Sequence, residues 1–286
     1  MSTPLIVPEP ALQTLTRIIK QKKELRTMSD DFVRTEILTF LKSHPHLLPH
    51  LLSPLQPLNL RSASCRAVVK GVREQLRRVT GLFSKKQKIS ISTTPLEFLS
   101  LHASTRERLS FYRQLYQQLF TITGKPESIL DLGCGLNPFS FPFMKLSKVQ
   151  YFAFDVHEEE IKQVESYFHT VHQQHHAVTG KARILNLLDI AALGSLPPAD
   201  LCFMFKITDV LDRGKGHKVT EKVIQAIPAN NIVVSFSTKT MSGKKMTAPR
   251  RRWMEWLCQR LGYPYEILEF ENETFYVVRK MPYPNF

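Results

Sequence analysis

The sequence predicts an α/β protein in which a helical N-terminal module, residues 1–95, precedes a parallel sheet wrapped by helices, residues 96–286. Three observations carry this. Before residue 95 apolar residues recur at helical spacing and strand signals are few. After it, five short apolar runs alternate with helical stretches. The chain then closes on two further strand-like runs, as expected of an antiparallel edge on a parallel sheet.

Residues 11–26 carry Leu12, Leu15, Ile18, Ile19 and Leu25 and predict a first helix. Ser29 or Asp30 caps a second, through Phe32, Ile37, Leu38 and Leu41. In residues 44–57 four prolines interrupt regular structure. Residues 62–83 predict a third helix, with Val68, Val69, Val72, Leu76 and Val79 on one side and Arg66, Lys70, Arg73, Arg77 and Arg78 around the rest. A Ser/Thr/Pro boundary follows, then a helix over 105–120. Strands are expected at 128–132, 150–155, 183–187, 201–206 and 232–237. Helices are expected at 158–176, 208–227 and 250–261, and the closing strands at 265–269 and 274–279.

Composition narrows the function. No apolar run approaches the roughly 18 residues of a membrane span, and the start, MSTPLIVPEP, lacks a secretory signal pattern. Four scattered cysteines form no C-x-x-C pair, so disulfide frameworks and zinc knuckles are not expected and a reducing, cytoplasmic setting is. The net charge of +14 is segmental: residues 1–95 hold 16 Lys and Arg against 6 Asp and Glu, residues 96–286 hold 23 against 19. Such a basic front end attracts a polyanion, because each neutralised phosphate releases counterions.

The chemistry centres on ILDLGCGLN, residues 129–137. A strand ends in Asp131, and Gly133 and Gly135 let the backbone approach a ligand closely. In an open α/β sheet that ligand lies beyond the carboxyl ends of the strands. Asp155 ends the next strand, where a carboxylate accepts hydrogen bonds from ribose hydroxyls. A dinucleotide would want a third glycine, where this chain has Pro138. It would also be opposed by Asp131, which instead suits the ammonium and sulfonium of S-adenosyl-L-methionine. The motif therefore predicts a class I (Rossmann-like) S-adenosylmethionine methyltransferase sheet. Asn137-Pro138-Phe139 superficially resembles the N-P-P-F of amino-methylating enzymes but follows the first strand, not the fourth.

LHASTRERL (101–109), DLGCGLNP (131–138), FK (205–206) and SFSTK (235–239), in that order, resemble the aminoglycoside-resistance type 16S rRNA (guanine-1405-N7) methyltransferases. The resemblance covers about residues 98–280. It implies methyl transfer to guanine N7 in the decoding A-site of the 30S subunit, with 16S rRNA as partner and no obligate protein partner. It further implies that Arg108 pairs with the methionine carboxylate of the cofactor and that His102, Ser104 and Thr105 line the same cavity. Gly133 and Gly135 then pass beneath the cofactor, Asp155 holds the ribose, and Asp189 lies near the adenine amino group. Lys206 and the segment from Ser235 to Lys239 face the substrate. Lys244, Lys245, Arg250, Arg251 and Arg252, with Arg66, Lys70, Arg73 and Arg77 of the basic module, are candidates for the flanking phosphates.

Guanine N7 is an unprotonated lone-pair acceptor, so its methylation needs no general base, and none is assigned. Two other readings stay open: a different rRNA or tRNA base, and a non-catalytic RNA-binding or ribosome-assembly module on the same fold. His169, His172, His175 and His176 share a helical face but are read as a solvated surface, with no metal expected. Cys134 is read as a small buried thiol, and Trp253 and Trp256 as core packing.

Overall fold

The computed structural model describes residues 7–51, 58–80, 94–212, 216–239, 244, 246–247 and 249–280. Lys245, the Arg78 and Val79 side chains and the basic residues 85–88 lie outside the described residues. The chain divides into two compact units, Met1–Ser84 with Val156–Glu158, and Lys85–Asp155 with Glu159–Phe286. Among the described residues no helix is long and apolar enough to cross a membrane.

The first unit packs α1 (Glu9–Ile19), α2 (Asp30–Ser43) and α3 (Ala63–Thr80) around Leu15, Ile19, Val33, Ile37, Leu41, Val68, Val72 and Leu76, all fully buried. Its first helix differs from the expected 11–26. It starts after Pro8 and stops at Ile19, where the Arg73 guanidinium donates to the carbonyls of Ile18 and Ile19. Leu25 still reaches the core, from the 3₁₀ turn Lys23–Leu25. Ser29 caps α2 by accepting from the Phe32 N–H, as the sequence suggests. The proline-rich stretch forms a 3₁₀ turn over Pro45–His50, its remainder at 52–57 lying outside the described residues.

In the second unit α4 (Pro95–Leu101), α5 (Ala103–Arg108) and α6 (Tyr112–Thr123) replace the single helix expected over 105–120. His102 is extended, and the Thr105 hydroxyl donates back to the carbonyls of Leu99 and His102, locking the break. Then come β1 (Ser128–Leu132), α7 (Phe141–Met144), β2 (Val149–Asp155), α8 (Glu158–Gln174), β3 (Val178–Ile184), α9 (Ile190–Gly194) and β4 (Ala199–Phe205). After them follow α10 (Thr208–Asp212), α11 (Lys218–Ala226), β5 (Ala229–Ser237), α12 (Arg252–Leu261), β6 (Tyr265–Glu269) and β7 (Glu273–Arg279). The helix expected over 208–227 is thus α10 and α11, separated at Gly216 with its positive φ of 77°. Asp212 ends the first piece and accepts from the Thr220 N–H and hydroxyl in the second.

The seven strands lie in the order β3-β2-β1-β4-β5-β7-β6. All neighbours are parallel except β5 with β7 and β6 with β7. Alternation splits each apolar strand between two cores. Leu201, Phe203, Phe275 and Val277 join Tyr112, Tyr116, Phe139 and Phe168 on one face. Cys202, Met204, Tyr276 and Val278 join Val223, Ile224, Met254 and Leu257 on the other. The third strand lies earlier than the expected 183–187. Its polar run VTGKARI sits at the sheet edge, and Gly180 is bare because Phe168 of α8 covers it. A Cβ there would stand 2.0 Å from Phe168 Cγ. The order reverses at β1, between β2 and β4, which places a ligand crevice beyond the carboxyl ends of β1 and β4.

Candidate functional site

At that crevice β1 runs into the glycine loop. Gly133 and Gly135 have φ of 66° and 47°, in the left-handed region. The loop is suspended from β2: the Cys134 N–H donates to the Phe154 carbonyl and the Gly135 N–H to Asp155 Oδ2, each at 2.9 Å. His102 packs over Gly135, so a Cβ there would lie 3.3 Å from its Nδ1. Gly135→Ala is expected to cost about 1–2 kcal/mol through backbone strain, read as a lower melting temperature with the fold otherwise intact.

Asp131 is 1% exposed at the carboxyl end of β1. Its Oδ2 accepts from Asn137 Nδ2 at 2.9 Å and from the Tyr151 hydroxyl at 2.7 Å. Asn137 is in turn fixed by the Tyr112 hydroxyl at 3.0 Å. Asp131 Oδ1 is buried with no hydrogen-bond partner among the described residues. Burial pushes the Asp131 carboxyl up to about 6, against the pull of Asn137 and Tyr151. A buried carboxylate oxygen left without a donor is unfavourable by itself. It is a ready acceptor for a cationic N–H. A ligand carrying an ammonium beside a nucleoside fits this loop, with Asp131 for the cation and Asp155 at the tip of the next strand.

Beside it lies a buried ionic network. Arg108, 1% exposed, makes a two-pronged pair with Glu273, Nε to Oε2 at 2.9 Å and Nη2 to Oε1 at 2.8 Å. The guanidinium lies 4.7 Å over the Phe205 ring. Lys206 Nζ reaches Glu107 Oε2 at 2.6 Å and Glu273 Oε2 at 3.3 Å, and the Ser235 hydroxyl donates to Glu273 Oε1. Burial opposes the charge on Glu273, but the Arg108 and Lys206 cations overcome it and hold the carboxyl below its usual range. Lys206 has φ of 55°, uncommon for a residue with a side chain, and its N–H meets the Ser235 hydroxyl at 3.0 Å.

Several of the expected site residues have partners within the chain. Lys206 and Ser235, expected on the substrate side, both contact Glu273, and with Arg108 they supply the two cations and the hydroxyl that keep that carboxylate ionised in the core. Thr105 is buried, and its hydroxyl is spent on the backbone of the helix break. Arg251 clasps the β5 end, donating to the carbonyls of Ser237 and Pro249 and lying over Phe236. Arg73 caps α1, and Arg77 pairs with Glu24 at 2.9 Å.

The rest distribute as follows. His102 is buried beside the loop, 3.2 Å from Glu160. Ser104 is half-buried in α5. Asp189 is exposed after β3 and caps α9 through the Ala192 N–H. Lys239 pairs with Glu271 and Arg250 with Glu269, while Lys244, Arg252, Arg66 and Lys70 are exposed. His172 bonds the Val178 carbonyl and meets the His176 ring edge-on. Trp253 stacks on His217 at 3.7 Å, and Trp256 stands 65% exposed, so it is not a core residue. All four cysteines are buried and unbridged.

Sequence reasoning missed Glu273, Glu107, Asn137 and Tyr151. For Glu273 a signal existed: an acid heading the otherwise apolar strand ETFYVVR.

Comparison with known proteins bears on the family and the fold. The family described as "Ribosomal RNA methyltransferase (FmrO)" matches residues 63–278. A 16S rRNA (guanine(1405)-N(7))-methyltransferase of Proteus mirabilis is 33% identical over 191 residues, 65% of each chain. One from Micromonospora echinospora is 31% identical over 190 residues, 64% of each. The match thus spans slightly less than two thirds of these relatives. Among solved structures, 16S rRNA methyltransferase RmtF in complex with S-adenosyl-L-homocysteine superposes with a TM-score of 0.69, at 22% identity, over 96% of this chain and 99% of that one. The 16S rRNA methylase RmtB gives 0.65 at 19% identity, over 97% and 100%. With the seven-stranded sheet, the glycine loop and a match over most of its length, the chain belongs to the ribosomal RNA methyltransferase (FmrO) family.

Proposed function

We propose that this protein is a cytoplasmic enzyme that methylates N7 of a guanine in the decoding A-site of 16S rRNA, within the 30S subunit, using S-adenosyl-L-methionine. The modification would confer aminoglycoside resistance. The observation that carries the reading is the unpartnered, buried Asp131 Oδ1 at the head of the glycine loop, in a chain of this family. It suits the cofactor's ammonium. Arg108, oriented by Glu273, would hold the methionine carboxylate, Asp155 the ribose and Asp189 the adenine end.

When bound, the cofactor supplies an electrophilic methyl group whose bond to sulfur breaks as the bond to N7 forms, leaving S-adenosylhomocysteine and a cationic guanine. The chain's own residues have no proton to remove, because N7 carries none. Their work is alignment and exclusion of water, the effects that convert an encounter into an in-line reaction. His102 lies beside Gly135 and Ile207 beside Gly133, so a side chain at either glycine would crowd the loop. A guanine in a helix must be distorted or flipped to reach this crevice. The basic first unit, with Arg66 and Lys70 exposed, and Lys244, Arg250 and Arg252 of the second are the candidates to hold flanking phosphates.

The test is transfer of tritium from labelled cofactor to purified 30S subunits and to naked rRNA. Label in the 16S rRNA of the subunits, with a primer-extension stop at one guanine after borohydride and aniline treatment, is the expected result. Label at another base would replace the substrate, and absence of any RNA label would end the enzymatic reading.

A further inference from the structure

A line of buried polar groups joins Arg108 to Asp131, each 1% exposed. Between them stand Tyr112, fully buried, and Asn137, 3% exposed. The Tyr112 hydroxyl donates to Asn137 Oδ1 at 3.0 Å, and Asn137 Nδ2 donates to Asp131 Oδ2 at 2.9 Å. The Arg108 cation lies on the other side of Tyr112: burial pushes the phenol up, and Arg108 pulls against it. Tyr151 gives a second donor to the same Asp131 oxygen, at 2.7 Å. The backbone of Asn137 is held as well, since its carbonyl accepts from the Ser140 hydroxyl at 2.6 Å. That hydroxyl in turn meets the Tyr116 hydroxyl at 2.6 Å.

The two charged ends set the polarity of this line. An ionised carboxylate only accepts, so the Asn137 amide turns its NH₂ to Asp131 and its carbonyl to Tyr112. The Arg108 cation repels the Tyr112 hydroxyl proton, which leaves it directed at Asn137. Both donors, Asn137 and Tyr151, are taken by Asp131 Oδ2, and Oδ1 is the oxygen left without one. Removal of the Tyr112 hydroxyl would strand the Asn137 carbonyl as a buried acceptor, which is costly. The amide would then be free to turn and set that carbonyl against the Asp131 carboxylate. Packing alone does not call for the hydroxyl. The Tyr112 ring stacks with Tyr116 and Phe143, contacts that a phenylalanine would keep.

We propose that Tyr112 and Asn137 are positioning residues that set the pocket's specificity for the amino-acid end of its ligand. They hold Asp131 in one orientation relative to Arg108. The pocket therefore takes a nucleoside that carries an ammonium and a carboxylate on one carbon, and discriminates against the same nucleoside without them. The inference rests on the proposed function, which gives Asp131 the ammonium and Arg108 the carboxylate. Tyr112 and Asn137 act through Asp131 and do not themselves touch the ligand.

The test is calorimetry on the full chain with two ligands, S-adenosylhomocysteine and methylthioadenosine, the thioether nucleoside that lacks the amino-acid end. Wild type is compared with Tyr112→Phe, Asn137→Leu and Tyr116→Phe, with thermal melts on the same samples. Tyr112→Phe is expected to weaken S-adenosylhomocysteine roughly tenfold, the size of one hydrogen bond to a charged group, and to change methylthioadenosine by less than about twofold. Asn137→Leu should show the same split, and a larger one, because it removes the donor to Asp131 itself. Tyr116→Phe also loses a buried hydroxyl, the one bonded to Ser140, but should leave the ratio of the two affinities at the wild-type value. A wild-type ratio in folded Tyr112→Phe overturns the proposal, whether both ligands weaken together or neither does. Asn137→Leu decides in the same way where Tyr112→Phe does not fold. A ratio that falls as far in Tyr116→Phe also overturns it, because loosening of the core would then be enough. Failure of the underlying assignment looks different: wild type itself would bind the two ligands equally, and the proposal would fall with it. No arm requires methyl transfer, so the outcome does not depend on which RNA base is the substrate.

Discussion

Glu273→Gln is expected to lower the melting temperature of the sheet-bearing unit by roughly 10 °C, from a loss of about 3–5 kcal/mol. Glu273 is fully buried and is the common acceptor for Arg108, Lys206 and Ser235. Glutamine keeps the size of the side chain but leaves Arg108 in the core without its counter-charge. The penalty is therefore that of an uncompensated buried cation and not that of a cavity. A double-mutant cycle isolates it: Arg108→Met should cost less in the Glu273→Gln background than in wild type. The pH dependence has a definite sign. The folded carboxyl sits below its unfolded range, so its contribution is present above the unfolded value and is lost as pH falls through the folded one. The gap between wild type and variant should be full at neutral pH and close under strong acid. Equal melting temperatures at pH 7.5 would show that the network contributes nothing net.

The second large effect separates binding from stability. Asp131→Asn should weaken S-adenosylhomocysteine binding by about 2–5 kcal/mol, or at least 30-fold, while leaving the free protein as stable as wild type or more so. The amide keeps an acceptor for Asn137 and Tyr151. It then presents N–H groups where Oδ1 stood, opposing an ammonium. Stability moves the other way because the folded carboxyl is raised to about 6. Such a group binds its proton more tightly in the folded chain, so ionising it above pH 6 costs folding free energy, and that cost is relieved as pH falls below 6. Wild-type affinity for the ligand should accordingly decline below about pH 6, and the variant's should not follow it. Calorimetry across pH 5–8, with thermal melts on the same samples, measures both.

Much of this architecture was legible in the sequence, for local reasons. β1, residues 128–132, and β6, residues 265–269, have the expected bounds because their hydrophobic runs are short and sharply bounded. Asp131, Gly133, Gly135 and Asp155 fall together because one strand–loop–strand unit carries all four. What was not legible is non-local. Arg108 and Glu273 are 165 residues apart, and nothing near either predicts the pair. The break at His102 depends on where one threonine hydroxyl turns. β3 was displaced because only Val178 and Ala182 of this edge strand enter the core, with Gly180 left bare under Phe168, too little apolar character to read as a strand. The basic residues show the same limit. Charge density marks the first unit, but it does not distinguish Arg73 and Arg77, held by a helix end and by Glu24, from Arg17 and Arg26, which are exposed.

The measurement closest to the central claim is a crystal structure of this protein with S-adenosylhomocysteine. The amino group of the ligand should lie within hydrogen-bond distance of Asp131 Oδ1, supplying the one donor that the carboxylate lacks, with its ribose at Asp155. A ligand seated elsewhere, or one that leaves Oδ1 still without a donor, would contradict it.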